Sequence, residues 1–272
     1  MSNQHFITYR QSTVHYHRFG SGPTYICCFH GYGEDGGKFK IFEQELGNSY
    51  TLIAIDLPFH GNTKWNEGLV LHPFELLEIM NRIIPEESRI LLMGYSMGGR
   101  VCLQLLASFP HRFRKLVLIA PDGLHKNIWQ RLSTQTALGN RLFAFSMQHP
   151  GWMFVLMRIA GSLGLFNKSI IRFVHHYLDH AHERKILYQR WTTMRYFRPN
   201  LTALKKIITK HQLSIRLIFG KYDRVIVSRH GYRFQKGLDA WVTVTDLSAG
   251  HHLLQEKYIG DLLSAAQLKN SN

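Results

Sequence analysis

Three residues of this 272-residue chain have the types needed to make a nucleophile: Ser96 in "GYSMG", Asp223 in "FGKYD" and His251 in "AGHH". A serine hydroxyl attacks a carbonyl only when a base takes its proton, and that base needs a third group to hold it. Gly94-Tyr95-Ser96-Met97-Gly98 follows a buried, strand-like run and opens a helical pattern. Small residues two before and two after the serine suit the tight, strained turn that lifts a hydroxyl clear of a sheet. A glycine-rich turn of this kind also suits phosphate binding at the helix N-terminus. The distinction rests on finding an acid and a base at other strand ends. Asp223 closes the run "LSIRLIFGKYD", and His251 follows "WVTVTDLSAG". His252 and Asp122 are the competing base and acid.

The elements that must position these groups alternate between two periods. "TYICCFHG" (24–31), "YTLIAIDLP" (50–58), "SRILLMGYS" (88–96) and "FRKLVLIAPDG" (113–123) are short and rich in β-formers, as buried parallel strands are. Helical patterns lie between them, over "KFKIFEQEL", "HPFELLEIMNRII" and "GGRVCLQLLASF". The rhythm returns with strands at "LSIRLIFGKYD" and "WVTVTDL" and a closing helix over "LLQEKYIGDLLSAAQL". This alternation predicts an α/β protein. Between about 124 and 210 it gives way to helical patterns broken near Pro150, Gly161, Gly164 and Pro199.

The ordered set "FHGYG", "DLPFHGNT", "GYSMGG", "FGKYD" and "AGHH" resembles cap-bearing members of the α/β-hydrolase fold, over nearly the whole chain except the cap. The resemblance implies an eight-stranded, mostly parallel sheet flanked by helices, with a helical cap inserted after the sixth strand. The core is expected at 1–123 and 206–272 and the cap at 124–205. Carried over by position, Ser96 is the nucleophile, Asp223 the orienting acid and His251 the base. The family places its histidine directly after the glycine, which favours His251 over His252. It keeps its acid more often at the position of Asp223 than at that of Asp122. The oxyanion donors are expected at the backbone N–H of Met97, just after the nucleophile, and of Tyr32 in the His-Gly-x loop. His30 is expected to be a buried turn histidine. "DLPFHGNT" departs from the family's D-x-P-G-x-G-x-S, since Phe59 replaces the first glycine and Thr63 the serine.

The implied activity is hydrolysis of an ester, thioester or related carbonyl compound through an acyl-enzyme, with no cofactor and no metal. A narrower resemblance concerns "GYSMGGRV", which is similar to the elbow of the menaquinone-pathway synthase that eliminates pyruvate. It implies Tyr95 and Arg100 as substrate-binding residues for an anion, and a lyase or carbon–carbon bond hydrolase as the alternative. The fold also supplies non-catalytic receptors, which do not need a complete triad.

Charge bears on the substrate. The chain carries a formal net charge of +15, and residues 124–210 hold 14 Lys or Arg against 2 Asp or Glu. Such a stretch concentrates anions, while most of its charges are expected on solvated helix faces. No nucleic-acid-binding motif accompanies it, so the partner expected is a small molecule. Contact with a membrane surface is the weaker reading of "GWMFVLMRIAGSLGLF" (151–166), which fits a cap helix more simply. His176 and His180, with Asp179 and His182, have the spacing of a metal clip but read as exposed histidines on a basic helix. The start has no secretory pattern, and the three cysteines suggest no disulfide framework. The expected location is the cytoplasm.

Overall fold

The computed structural model describes residues 4–86, 88, 90–125, 128–155 and 178–268. Its eight strands form one sheet in the order β1-β2-β4-β3-β5-β6-β7-β8. They are β1 (Gln4–Tyr9), β2 (Ser12–Phe19), β3 (Thr24–Phe29), β4 (Tyr50–Ile55), β5 (Ile90–Tyr95), β6 (Phe113–Ile119), β7 (Ser214–Gly220) and β8 (Val242–Leu247). β1 pairs antiparallel with β2, and β2 antiparallel with β4; every other pairing is parallel. The mostly parallel, eight-stranded architecture expected from the sequence is the one observed.

Burial explains which strands lie where. The four central strands β4, β3, β5 and β6 include the runs "LIAI", "ICCF", "ILLMGY" and "LVLI", buried on both faces, as parallel strands covered by helices must be. β1 at one edge alternates between exposed and half-buried positions, so a single face packs there. The helical pattern over residues 38–46 forms differently from its expectation. It starts as a 3-10 turn (Gly36–Phe42) capped by Asp35, whose carboxylate accepts from Gly37 N, and only Glu43–Leu46 is α-helical.

The chain divides into two compact units. Residues 1–67, 72–125 and 197–272 contain the sheet; residues 68–71 and 126–196 form the second. The second unit holds helices Ile128–Gln135, Ala137–Gln148 and Ala181–Thr193 among its described residues. Thr136 caps the middle one by accepting from Gly139 N. Asn140 ties it to the third, donating to Thr192 Oγ1 at 3.2 Å and accepting from Tyr188 Oη at 3.0 Å. Two of the basic residues serve this interior: Arg184 donates to the carbonyls of Met147 and Leu178, and Arg195 to that of Leu69. No described helix is long and apolar enough to cross a membrane.

Candidate active site

Ser96 sits between β5 and the helix Met97–Ser108 with φ 49° and ψ −114°, outside the regions ordinary side chains occupy. Holding a non-glycine residue there costs about 1–3 kcal/mol, which the surrounding structure must supply. Its frame is set by two glycines. A Cβ on Gly98 would overlap the Phe29 carbonyl, and one on Gly94 would lie 2.6 Å from Gly98 O. Ser96 N donates to Ile119 O, and Asp122 N donates to Ser96 O at 2.9 Å, so the turn is also pinned to the end of β6.

Two side chains remote in sequence converge on this hydroxyl. His251 Nε2 lies 3.2 Å from Ser96 Oγ, and His251 Nδ1 lies 2.7 Å from Asp223 Oδ2. Asp223 is buried, and its other oxygen accepts from Val225 N at 2.7 Å and Ile226 N at 2.9 Å. Burial alone would push this carboxyl up, but the bonds from His251, Ile226 N and Val225 N together hold it below the usual aspartate value. The aspartate therefore stays ionised where it meets the imidazole. His252 is exposed, with its ring 5.8 Å from that of His251. Asp122 faces elsewhere: Oδ1 accepts from Gly123 N, and Oδ2 lies 3.6 Å from Arg100 Nη1.

Tyr95 and Arg100 occupy settings that sequence spacing does not reveal. Tyr95 is buried, its hydroxyl donates to the His251 carbonyl at 3.2 Å, and the two rings are 5.6 Å apart. Burial, then the charges of Glu34 and Asp223, push its pKa above the usual tyrosine value, so the phenol remains a neutral donor. Arg100 is 8% exposed and its buried Nε has no hydrogen-bond partner among the described residues. With Asp122 beyond hydrogen-bond distance, its guanidinium is incompletely satisfied.

The loop after β3 is clamped on both sides. His30 is fully buried; its Nδ1 meets Gly31 O at 2.8 Å and its Nε2 accepts from Leu57 N at 3.1 Å, so the proton sits on Nδ1. Asp56 Oδ1 accepts from Gly36 N at 2.7 Å, while Oδ2 accepts from Asn62 N at 2.9 Å and meets His15 Nδ1 at 2.7 Å. One carboxylate thus joins β2 to the loops after β3 and β4. Tyr32 lies in the first of these loops, its ring edge-on to His60. Phe59, in the second, has φ 62°, which explains why a glycine is usual there.

Among the described residues, one trio of metal-ligand types lies close together, the ligand atoms of His15, His17 and Asp56 being within 4.8 Å of one another. Both oxygens of Asp56 are already engaged with backbone N–H groups, which suits the clamp better than an ion. The histidine cluster at 175–182 falls partly outside the described residues, His176 with it.

A Ser-His-Asp relay on a strained strand-to-helix turn, at the C-terminal edge of a mostly parallel sheet, defines an α/β-hydrolase architecture. The alpha/beta hydrolase fold family matches residues 24–257, and the chain belongs to that family. Curated relatives include a pimeloyl-[acyl-carrier protein] methyl ester esterase of Aeromonas salmonicida (strain A449), 29% identical over 153 residues, covering 55% of this chain and 59% of that protein. Another, from Pseudoalteromonas atlantica, is 30% identical over 134 residues, covering 47% and 48%. The matched stretch spans between about half and three fifths of these relatives. Solved structures similar in fold include an esterase of Thermogutta terrifontis (TM-score 0.62, 16% identity, 98% and 94% of the two chains). A thioesterase domain from the curacin biosynthetic pathway is similar too (TM-score 0.60, 16%, 97% and 98%).

Proposed function

We propose that this protein is a serine hydrolase that cleaves an ester or thioester through an acyl-enzyme. The observation that carries the reading is the unbroken relay from Ser96 Oγ through His251 to Asp223, at 3.2 and 2.7 Å. His251 Nε2 takes the Ser96 proton as Oγ attacks the carbonyl carbon. Asp223 holds the Nδ1–H tautomer and stabilises the imidazolium that forms. The backbone N–H groups of Met97 and Tyr32 hold the oxyanion, each donor being worth about 3 kcal/mol in the transition state. His251 then protonates the leaving oxygen or sulfur. Water, deprotonated by the same histidine, releases the acid and restores Ser96. The relatives named for a methyl ester esterase support an acyl ester as substrate class.

Arg100, buried and incompletely satisfied, favours a substrate bearing an anionic group, and the basic stretch 124–205, proposed as a cap, carries charge of the sign that attracts such molecules to the protein. Tyr95 supports the site through the His251 carbonyl. The same arginine supports a second reading, a lyase that eliminates an anionic fragment with Ser96 and His251 as base. A Ser96→Ala variant tests the first proposal. It is expected to lose at least about 10³-fold in kcat on p-nitrophenyl butyrate, and full turnover by S96A would overturn it.

A further inference from the structure

The helix Ala137–Gln148 carries its apolar row outward. Asn140, Phe143 and Met147, at i, i+3 and i+7, face the interior of the second unit. Asn140 bonds to Thr192 and Tyr188, the Phe143 ring lies 5.3 Å from that of Tyr188 and 5.8 Å from that of Trp191, and Met147 is buried. Ser146 is buried as well, its hydroxyl donating back to Leu142 O. Leu138, Leu142 and Phe145, at i, i+4 and i+7, take the other side and are 80%, 53% and 52% exposed. Arg141 is exposed beside them. A Cβ on Gly139 would overlap the Leu132 carbonyl, so the end of helix Ile128–Gln135 sits against the start of this one and brings the exposed Arg131 and Leu132 to it. Single exposed leucines are ordinary; a row of them along one side of a helix, with an amide and a hydroxyl folded inward, is the pattern of a surface that another surface covers.

We infer that the Leu138, Leu142 and Phe145 face is a docking surface for an anionic lipid layer. Charge selects this occupant. Residues 124–178 contain Lys126, Arg131, Arg141, Arg158, Lys168 and Arg172 and no Asp or Glu. A second copy of the chain would bring the same positive charge to the face and be repelled, whereas anionic headgroups attract it. The three apolar side chains reach the boundary of the acyl chains, and Arg131 and Arg141 extend along them to the phosphates. At 12 residues the helix is about 18 Å long, too short for the roughly 30 Å of a hydrocarbon core, so it lies on the layer and does not span it. The surface is built from the helix before the stretch 151–166, not from that stretch.

The test is sedimentation of the full chain with vesicles of phosphatidylcholine alone, or with about a quarter phosphatidylglycerol, at about 0.1 M salt. Wild type is expected to partition onto the anionic vesicles at least about 10-fold more strongly than onto the neutral ones. The triple variant L138Q/L142Q/F145Q should lower that partition by about 10-fold or more, and R131Q/R141Q by a similar factor. Thermal unfolding shows that each variant is folded; if the triple variant is not, the single L142Q should still lose about threefold. A wild type that leaves the anionic vesicles unbound, binds neutral ones equally well, or binds as strongly after the three glutamines are introduced overturns the inference. Light scattering that shows a dimer lost in L138Q/L142Q/F145Q, with no binding to vesicles, gives the face to a second copy and also overturns it. None of these measurements requires turnover, so the inference stands or falls separately from the hydrolase reading.

Discussion

Replacing Asp223 by Asn changes one atom and tests how the relay works. Asp223 Oδ1 accepts from Val225 N and Ile226 N at 2.7 and 2.9 Å, so the asparagine carbonyl oxygen must take that place. Its amide NH2 then points at His251 Nδ1, where Oδ2 lies at 2.7 Å in wild type. A donor facing Nδ1 forces the lone pair there and the proton onto Nε2, the nitrogen 3.2 Å from Ser96 Oγ. The imidazole keeps its position and loses its ability to take the serine proton. The expected loss is about 10⁴-fold in kcat, roughly 5 kcal/mol, by analogy with the same change in other serine triads. The assay is steady-state hydrolysis of p-nitrophenyl butyrate, with thermal unfolding to show that the variant is folded. A folded D223N retaining more than about a tenth of wild-type kcat would refute this tautomer argument.

The lowered pKa of Asp223 predicts a pH-dependent stability difference with a definite sign. A carboxyl whose folded value lies below the ordinary 3.8 contributes stability above that value and loses it as pH falls through the folded one. Denaturant unfolding should therefore show wild type and D223N furthest apart above about pH 4 and converging in more acidic solution; a gap that widens on acidification contradicts this. Gly98→Ala should destabilise the fold by about 2 kcal/mol or more and remove activity, since the new Cβ meets the Phe29 carbonyl, a backbone atom that cannot rotate away. Near-wild-type melting of G98A would contradict that packing. Arg100→Ala should lower kcat/KM for a dicarboxylate monoester by about 10-fold or more, against less than about threefold for a neutral ester; equal losses would count against anion recognition.

Much of this site is legible in the sequence because the relay uses residues at strand ends, and strand ends can be read from runs of apolar residues. Ser96, Asp223 and His251 each follow such a run, and the structure brings them together at hydrogen-bond distances. His30 is equally legible: a histidine before glycine at a strand end is held by backbone groups on either side. What lies outside the pattern is whatever depends on the third dimension. Glu34 reads as an ordinary loop carboxylate, yet its Oε2 lies where a Cβ on Gly31 would crowd it, at 2.9 Å. Tyr95 looks like a variable position inside the motif, yet its hydroxyl reaches a carbonyl 156 residues away. Residues 68–71 join the second unit through bonds from Leu71 N to Thr193 O and from Arg195 to Leu69 O, which no local signal announces.

The central claim is that Ser96 is activated by His251, and the most direct measurement is covalent labelling of the folded protein with a fluorophosphonate, mapped by mass spectrometry. Labelling at Ser96 is expected in wild type, with the rate falling by at least about 10³-fold in a folded H251A variant while H252A stays within about threefold of wild type. A folded wild type without an adduct at Ser96, or one labelled equally fast when His251 is removed, would contradict it.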